Sequence, residues 1–221
     1  MATSTVENYL KAILHLDEDT TTTISVGAIA GALEVTPGTV SSMMRHLSEG
    51  ELITYVPRRS VNLTEKGRFQ ALQVVRRHRL VETFLVEVMK LDWSEVHEEA
   101  EVLEHVVSDR LLSKMDEMLG HPSHDPHGDP IPDAKGNYAV AKASEPLAGL
   151  QSGEFRLVRV DDSDSEMLDW LRIHDLRPGS QYEIKTRDPI AGIIEIEATS
   201  DKRIVRLGEK IADRILVEPI S

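Results

Sequence analysis

The sequence contains no cysteine among its 221 residues. Disulfides, thiolate metal sites, iron–sulfur clusters and a cysteine nucleophile are therefore excluded. Aromatic residues make up only 4% of the chain, which disfavours recognition of nucleic acids or sugars by ring stacking. No run of 18 apolar residues occurs, and the first residues lack the basic and apolar segments of a secretory signal. These absences predict a soluble cytoplasmic protein.

Acidic residues are in excess, and the formal net charge is −13. The excess is unevenly distributed along the chain. Residues 1–77 carry eight basic and eight acidic side chains, residues 78–144 carry six and fourteen, and residues 145–221 carry eleven and sixteen. The first third is therefore neutral, so the overall acidity does not exclude DNA binding by that part.

Residues 1–72 have the pattern of a winged helix-turn-helix domain. Apolar residues recur at helical spacing over 6–17, and Ser25 and Thr36-Pro37 are typical starts of two further helices. A strand–turn–strand pattern over 52–63 follows and predicts a wing. A generic helical hairpin with an attached β-hairpin is the alternative interpretation.

The helix that begins at Thr36 is the second helix of the helix-turn-helix. It would have a small, polar outer face that fits the major groove. Arginines nearby could contact phosphates and fix the register. The predicted DNA-binding residues are Thr36, Pro37, Gly38, Thr39, Ser42, Arg45, Arg58 and Arg59. Because one neutral copy would bind DNA weakly, we expect a homodimer on double-stranded operator DNA.

The rest of the chain predicts two more domains. Residues 73–143 contain the end of a long helix from Thr64 to about Met89, a second helix over roughly 93–118, and a proline-rich loop. Short alternating strands dominate residues 148–221 and predict a small β-barrel or sandwich. The predicted fold class is mainly α with a β C-terminal domain.

Six of the nine histidines lie between residues 78 and 127, close to acidic residues. His78 and Glu82 are four residues apart on one predicted helix and share a face. The next helix carries a stripe of imidazoles and carboxylates: His97, Glu101, Glu104 and His105. A buried stripe of this kind needs a neutralising cation, whereas a solvated acidic face is the alternative. The loop residues His121, His124, Asp125 and His127 could complete a second site.

Carboxylate and imidazole donors without sulfur suit Mn(II) or Fe(II), although Zn(II), Co(II) and Ni(II) would bind at least as tightly in vitro. An enzyme is not expected. The segment His97-Glu98-x-x-Glu101 lacks the second histidine of a zinc protease helix. Phosphate-binding and nucleophile-elbow motifs are also missing from the sequence. We expect neither a membrane partner nor a small organic substrate.

Three stretches together resemble the diphtheria toxin repressor (DtxR/MntR) family of metal-dependent transcriptional repressors. They are RRHRLVE at 76–82, VHEEAEVLEHVVSD at 96–109 and PHGDPIP at 126–132. The resemblance covers essentially the whole chain. It implies a winged-helix domain, a helical dimerisation and metal-binding domain, and an SH3-like (FeoA-type) barrel.

The resemblance also implies two sets of metal ligands. The regulatory set is Asn8, Glu101, Glu104 and His105. The glutamate at 101 is typical of manganese-responsive members, whereas Asn8 stands where those members have aspartate. Glu7, the neighbouring acid, points elsewhere on a helix and is a poor substitute. The second set is His78, Glu82 and His97 or, in some members with the barrel, Glu82, Asp125, His127 and Asp162.

These features predict a homodimeric, Mn(II)-activated DNA-binding repressor that controls metal-ion homeostasis genes. An Fe(II)-responsive, iron-dependent repressor is the alternative within the family. A metal-binding structural or storage protein with a vestigial winged helix is the alternative outside it. In the repressor hypothesis, metal binding ties the first helix to the dimerisation helix. Without metal we expect the first helix to be loose, because the acidic ligands repel one another.

Overall fold

The computed structural model describes residues 3–19, 23–138 and 144–220. Its eight helices are α1 Ser4–Asp19, α2 Val26–Ala32, α3 Pro37–Glu49, α4 Glu65–Glu87, α5 Val96–Leu103, α6 Asp109–Met118, α7 Ser165–Ile173 and α8 Glu209–Ala212. Its eight strands are β1 Ile53–Val56, β2 Ser60–Leu63, β3 Glu145–Pro146, β4 Gly153–Val160, β5 Gln181–Asp188, β6 Ile193–Ala198, β7 Ile204–Gly208 and β8 Ile215–Pro219. Within these described ranges, no helix combines the length and hydrophobicity that crossing a membrane requires.

The chain divides into two compact units. The first contains the described residues up to His78 together with 102–108 and 132–137. The second contains 79–101, 109–131 and the described residues from Tyr138 onward.

The first unit contains a helix-turn-helix followed by a two-stranded antiparallel ribbon, as the pattern over residues 1–72 predicts. Ser25 Oγ accepts a hydrogen bond from Ala28 N and begins α2, and Thr36 Oγ1 accepts one from Thr39 N and begins α3. One face of α3 is fully buried through Val40, Met44 and Leu47. The opposite face of α3 is therefore presented outward.

The second unit contains a six-stranded antiparallel sheet in the order β3-β8-β4-β5-β6-β7. Apolar side chains alternate along its strands and pack with α7, which buries Met167, Leu168 and Leu171. Among the described residues, β3 and β7 end the sheet without pairing to each other, so no closed barrel is observed. The C-terminal β domain is thus confirmed at the level of an antiparallel sheet.

The predicted single helix over 93–118 is wrong, because the structure has two helices there. α5 ends at Leu103, and α6 begins at Asp109. Arg77 Nε donates to the Glu104 carbonyl at 2.8 Å, which satisfies one of the acceptors that a helix end leaves open. The β-branched pair Val106 and Val107 also favours the interruption. Glu104 and His105 therefore lie in a turn and not on the helical stripe that the sequence predicts.

Candidate metal centres and nucleic-acid interface

The first unit gathers charged and imidazole side chains around Glu104, in what we call the Glu104 cluster. Its members come from α1, from α4 and from the turn after α5: Glu7, Lys11, Arg77, His78, Glu104 and His105. The Glu104 carboxylate is fully buried. A buried charge must be paired, so the partners of Glu104 decide what this cluster can do.

Two side chains hydrogen-bond the Glu104 carboxylate directly. Lys11 Nζ donates to both oxygens at 2.9 Å, and His78 Nδ1 lies 2.6 Å from Oε2. His105 Nε2 lies 3.4 Å from Oε1. Burial by itself would raise the pKa of Glu104, but the His78 hydrogen bond and the Lys11 ammonium outweigh it and lower that pKa below its usual value.

Glu7 belongs to this cluster, contrary to the expectation that it points elsewhere on its helix. Its Oε2 lies 2.6 Å from His105 Nδ1, and Arg77 donates to its Oε1 at 2.7 Å. Arg77 thus bonds both Glu7 and the Glu104 main chain. The carboxylates of Glu7 and Glu104 are each paired with a cationic side chain, so the mutual repulsion of acidic ligands that the sequence predicts is offset in this cluster.

The second unit gathers a different set around Glu82, in what we call the Glu82 cluster: Glu82, His97, Asp125, His127 and Asp162. Glu82, Asp125 and His127 are buried, and each offers a ligand atom within 4.8 Å of the others. His127 Nδ1 lies 3.9 Å from Glu82 Oε2. Three buried oxygen and nitrogen donors at this spacing are suited to a shared metal ion.

His127 is held in one tautomer by Trp93. Its Nε2 donates to the Trp93 carbonyl at 2.9 Å, and the two rings stack with centroids 5.3 Å apart. The hydrogen therefore lies on Nε2, which leaves the Nδ1 lone pair available. Bonding the far nitrogen of a histidine to a carbonyl is how proteins orient a metal-ligating imidazole.

Asp125 is held equally firmly by its own loop. Its Oδ1 accepts hydrogen bonds from His127 N and Asp129 N, both at 2.9 Å. Gly128 has φ +93°, and a Cβ there would lie 2.0 Å from the Val158 carbonyl oxygen. Only glycine fits this close approach, so the loop that carries Asp125 and His127 is fixed in place.

The electrostatics of the Glu82 cluster are those of excess negative charge. Burial raises the pKa of Asp125 well above its usual value, and the neighbouring carboxylates Asp129 and Glu82 raise it further. The Arg79 guanidinium opposes this rise from 3.7 Å. Arg79 also donates to Asp129 Oδ1 and the Pro130 carbonyl, so its charge is divided.

His97 extends this cluster toward solvent, since its side chain is 37% exposed. Its Nδ1 lies 3.2 Å from Glu82 Oε1 and 4.0 Å from Asp162 Oδ2. The predicted ligand Glu101 lies in the same unit, with Oε1 3.7 Å from His97 Nε2. Glu82 therefore has one oxygen facing His97 and the other facing His127. The loop histidines His121 and His124 are not members of either cluster.

Both clusters fit divalent metals by their donor chemistry. Several buried side-chain atoms have no hydrogen-bond partner among the described residues, and they include Asn8 Oδ1, Asp125 Oδ2 and His127 Nδ1. Leaving such atoms unsatisfied is costly, and a cation would satisfy them. All available donors are carboxylate or amide oxygens and imidazole nitrogens, so both clusters suit metals that do not require thiolate.

The predicted DNA-contacting residues lie on exposed surface of the first unit. Thr36, Pro37, Gly38, Thr39, Ser42 and Arg45 are exposed along the beginning and outer face of α3. Arg58 and Arg59 are exposed at the turn of the β1–β2 ribbon. Neither ribbon arginine forms an ion pair with another described residue, so both are available to phosphates.

Comparison with known proteins assigns all three parts of the chain. Residues 1–61 match the model "Iron dependent repressor, N-terminal DNA binding domain", residues 64–133 match its "metal binding and dimerisation domain", and residues 146–219 match the FeoA domain. The chain is 30% identical to the diphtheria toxin repressor of Corynebacterium diphtheriae, over 98% of this chain and 97% of that protein. The chain belongs to the diphtheria toxin repressor family.

Other members of the family share less of their length or differ in the metal named for them. The iron-dependent repressor IdeR of Mycobacterium leprae is 39% identical over 58% of this chain, which spans only 55% of that relative. A manganese-dependent transcriptional repressor solved with manganese has a TM-score of 0.88 and 36% identity, covering 97% of this chain and 100% of that one. The manganese regulator SloR has a TM-score of 0.74 and 34% identity, covering 97% and 98%. The relatives thus include both iron and manganese regulators, and their names describe repressors and not enzymes.

Sequence reasoning missed four residues that organise the clusters: Lys11, Arg77, Trp93 and Gly128. Lys11 had a usable signal, because it lies three residues after Asn8 and so shares its helix face. Gly128 also had a usable signal, because it lies among prolines and beside the predicted ligands Asp125 and His127. The role of Arg77 depends on its bond to the distant Glu104 carbonyl, and that of Trp93 on the bond that its own carbonyl accepts from His127. The sequence gives no signal for such long-range main-chain bonds.

Proposed function

We propose that this chain is a divalent-metal-dependent transcriptional repressor that responds to Mn(II) and binds double-stranded operator DNA as a homodimer. The observation that carries this proposal is the buried trio Glu82, Asp125 and His127, whose donors converge within 4.8 Å. Family membership supports the DNA-binding part. Hard oxygen and imidazole donors without sulfur favour Mn(II), and Fe(II) is the second candidate.

The Glu104 cluster supplies the proposed link between metal and DNA. A divalent cation bound there would supply two positive charges. Asn8 lies on α1, whereas Glu104 and His105 lie in the turn after α5. Asn8, Glu104 and His105 bound to one ion would hold α1 against that turn. We propose that this restraint favours the conformation in which two recognition helices match the operator spacing.

Exposed apolar side chains support the proposed homodimer. They lie just after α4 and on α6 in the second unit: Val88, Met89, Leu91, Leu111 and Met118, which are 40–65% exposed. Exposed apolar residues in such number are typical of an interaction surface. We further propose that the six-stranded sheet is an SH3-like domain of the FeoA type.

Fluorescence anisotropy on a labelled duplex tests the proposal. The duplexes come from the region upstream of the protein's own gene and from nearby metal-transporter promoters, at one fixed salt concentration. We expect binding with Mn(II), weaker binding with anaerobic Fe(II), and none in chelator. Equal binding in chelator would contradict a metal-gated repressor, and stronger binding with Fe(II) would reassign the metal.

Variants of the Glu104 cluster connect the two activities. We expect Glu104→Ala and His105→Ala to abolish metal-dependent binding while sedimentation still shows the dimer. Glu98→Ala removes an exposed carboxylate of α5 and is the matched control. Arg58→Ala and Arg59→Ala should each weaken binding to all duplexes and reduce the salt slope by about one. Unchanged binding in the Glu104 variant would reject the proposed link.

A further inference from the structure

Lys11 places its ammonium group against the carboxylate of Glu104, which is one of the proposed metal ligands. Its Nζ bonds both carboxylate oxygens at 2.9 Å, and its side chain is only 12% exposed beside a fully buried partner. We infer that Lys11 is an internal competitor of the activating metal, whose displacement sets the metal concentration at which the protein responds. The inference rests on the proposed function and assigns it a residue that controls its threshold.

The position of Lys11 makes coexistence with a bound metal unfavourable. Lys11 and Asn8 are three residues apart on α1 and share a helix face. A cation held by Asn8 Oδ1 and the Glu104 carboxylate would therefore lie next to the ammonium. Two cations on one buried carboxylate repel strongly because the surroundings screen charge poorly. The ammonium must leave Glu104 for the metal to bind at full strength.

Lys11 can leave Glu104 while His78 remains bonded to that carboxylate. Lysine carries its charge on a flexible four-carbon chain that can extend to water, and this side chain is already partly exposed. Glu104 would keep its hydrogen bond with His78. The other cation of the cluster, Arg77, has no such conflict, since it bonds Glu7 and the Glu104 main-chain oxygen and not the Glu104 carboxylate.

Calorimetry with Mn(II) on the full-length Lys11→Met protein tests the inference. The binding component that disappears in Glu104→Gln belongs to the Glu104 cluster. We expect that component to be at least tenfold tighter in Lys11→Met than in wild type. Lys114→Met removes an equal charge from an exposed pair with Glu117 and should change nothing. Equal or weaker affinity in Lys11→Met would overturn the inference, because removing a competitor of the metal must tighten metal binding.

Two further readouts do not depend on DNA binding. In metal-free protein, Lys11→Met should lower the thermal midpoint because Glu104 loses a partner, and Mn(II) should then raise the midpoint more than in wild type. Nitrogen-edited NMR should show a Lys11 ammonium signal that is protected from exchange with water, and its absence in Lys11→Met assigns it. Zn(II) should remove this protected signal. A protected signal that persists with Zn(II) bound at Glu104 would overturn the inference.

The outcomes separate this inference from the proposed function. Glu104-dependent metal binding that is equal in wild type and Lys11→Met rejects the inference alone. Metal binding at Glu104 that appears only in Lys11→Met supports it in its strongest form. If neither protein binds metal through Glu104, both the inference and the proposed role of the Glu104 cluster fail.

Discussion

The two clusters of this molecule differ in how the negative charge of their buried carboxylates is balanced. In the Glu104 cluster, Lys11 and Arg77 balance the carboxylates of Glu104 and Glu7, and the pKa of Glu104 lies below its usual value. In the Glu82 cluster, buried carboxylates crowd together, and the pKa of Asp125 lies well above its usual value. The same kinds of ligand thus have pKa values shifted in opposite directions by their surroundings.

In the first kind of site, cationic side chains of the protein neutralise the carboxylates. In the second kind, the carboxylates need a bound cation to neutralise them. A neutralised cluster is stable without metal, but the metal must displace a partner. A cluster with excess acid is costly to bury, and a cation relieves that cost directly. We therefore expect the Glu82 cluster to bind metal as a structural site and the Glu104 cluster to respond as a sensor.

Neutralising one carboxylate in each cluster should give the largest difference in stability between the two clusters. Glu104→Gln should destabilise metal-free protein by about 2–3 kcal/mol, because Lys11 loses a buried charged partner. Asp125→Asn should not destabilise it, since the amide keeps an acceptor for His127 N and Asp129 N and removes one crowded charge. Denaturant unfolding of metal-stripped protein measures both. The reverse order of stabilities would contradict the division into a neutralised and an acid-rich cluster.

The loop that positions the Glu82 cluster gives the next largest effect. Gly128→Ala should cost about 2 kcal/mol, since the residue has positive φ and its Cβ would overlap the Val158 carbonyl. Metal affinity of the Glu82 cluster should fall with it. Gly120→Ala is the matched control, because Gly120 also has positive φ but has no atom within 4 Å of its added Cβ. Equal losses in both variants would show that backbone conformation alone matters.

Asn8→Asp should shift the Glu104 cluster toward stronger metal binding. The added charge should tighten Mn(II) binding about tenfold, which corresponds to about 1.4 kcal/mol. In a protein that keeps Lys11, part of this gain in Mn(II) affinity is lost, because the new carboxylate and the Lys11 ammonium share a helix face and can pair. The gain should therefore be larger in a Lys11→Met background, and calorimetry on the four proteins of this cycle measures the difference. Equal or weaker Mn(II) affinity in Asn8→Asp would reject Asn8 as a ligand.

The parts of the fold that were predictable are those encoded by neighbouring residues. The starts of α2 and α3 follow from caps at Ser25 and Thr36, each of which bonds a main-chain NH three residues later. The break after Leu103 was missed. One of its causes, the bond from Arg77 to the Glu104 carbonyl, joins residues 27 positions apart. Local periodicity contains no information about such a bond.

The candidate sites divide in the same way. Ligands such as Glu82 and Asp125 followed from residue type and from resemblance to a family. Their charge states did not, because those depend on which cation lies nearby after folding. Lys11 and Glu104 are 93 residues apart, and Glu7 and His105 are 98 apart. Sequence reasoning therefore expected repulsion in the Glu104 cluster where the structure has ion pairs.

The smallest predicted effect is a difference in the pH dependence of stability. Asp125 has a raised pKa in the folded state, so the folded protein binds more protons than the unfolded chain at mildly acidic pH. Stability from this group is therefore lost as pH rises from the unfolded value toward the raised one. Glu104 has a lowered pKa, so its stabilisation is present above the unfolded value and is lost as pH falls.

Denaturant unfolding between about pH 4 and 7 measures these opposing pH dependences of stability. The proteins compared are metal-stripped wild type, Asp125→Asn and Glu104→Gln. Asp125→Asn should gain on wild type as pH rises, by at most about 1.4 kcal/mol per pH unit for one proton. Glu104→Gln should approach wild type as pH falls. Parallel profiles for all three proteins would mean that the two carboxylates titrate alike, and the division into a neutralised and an acid-rich cluster would then be wrong.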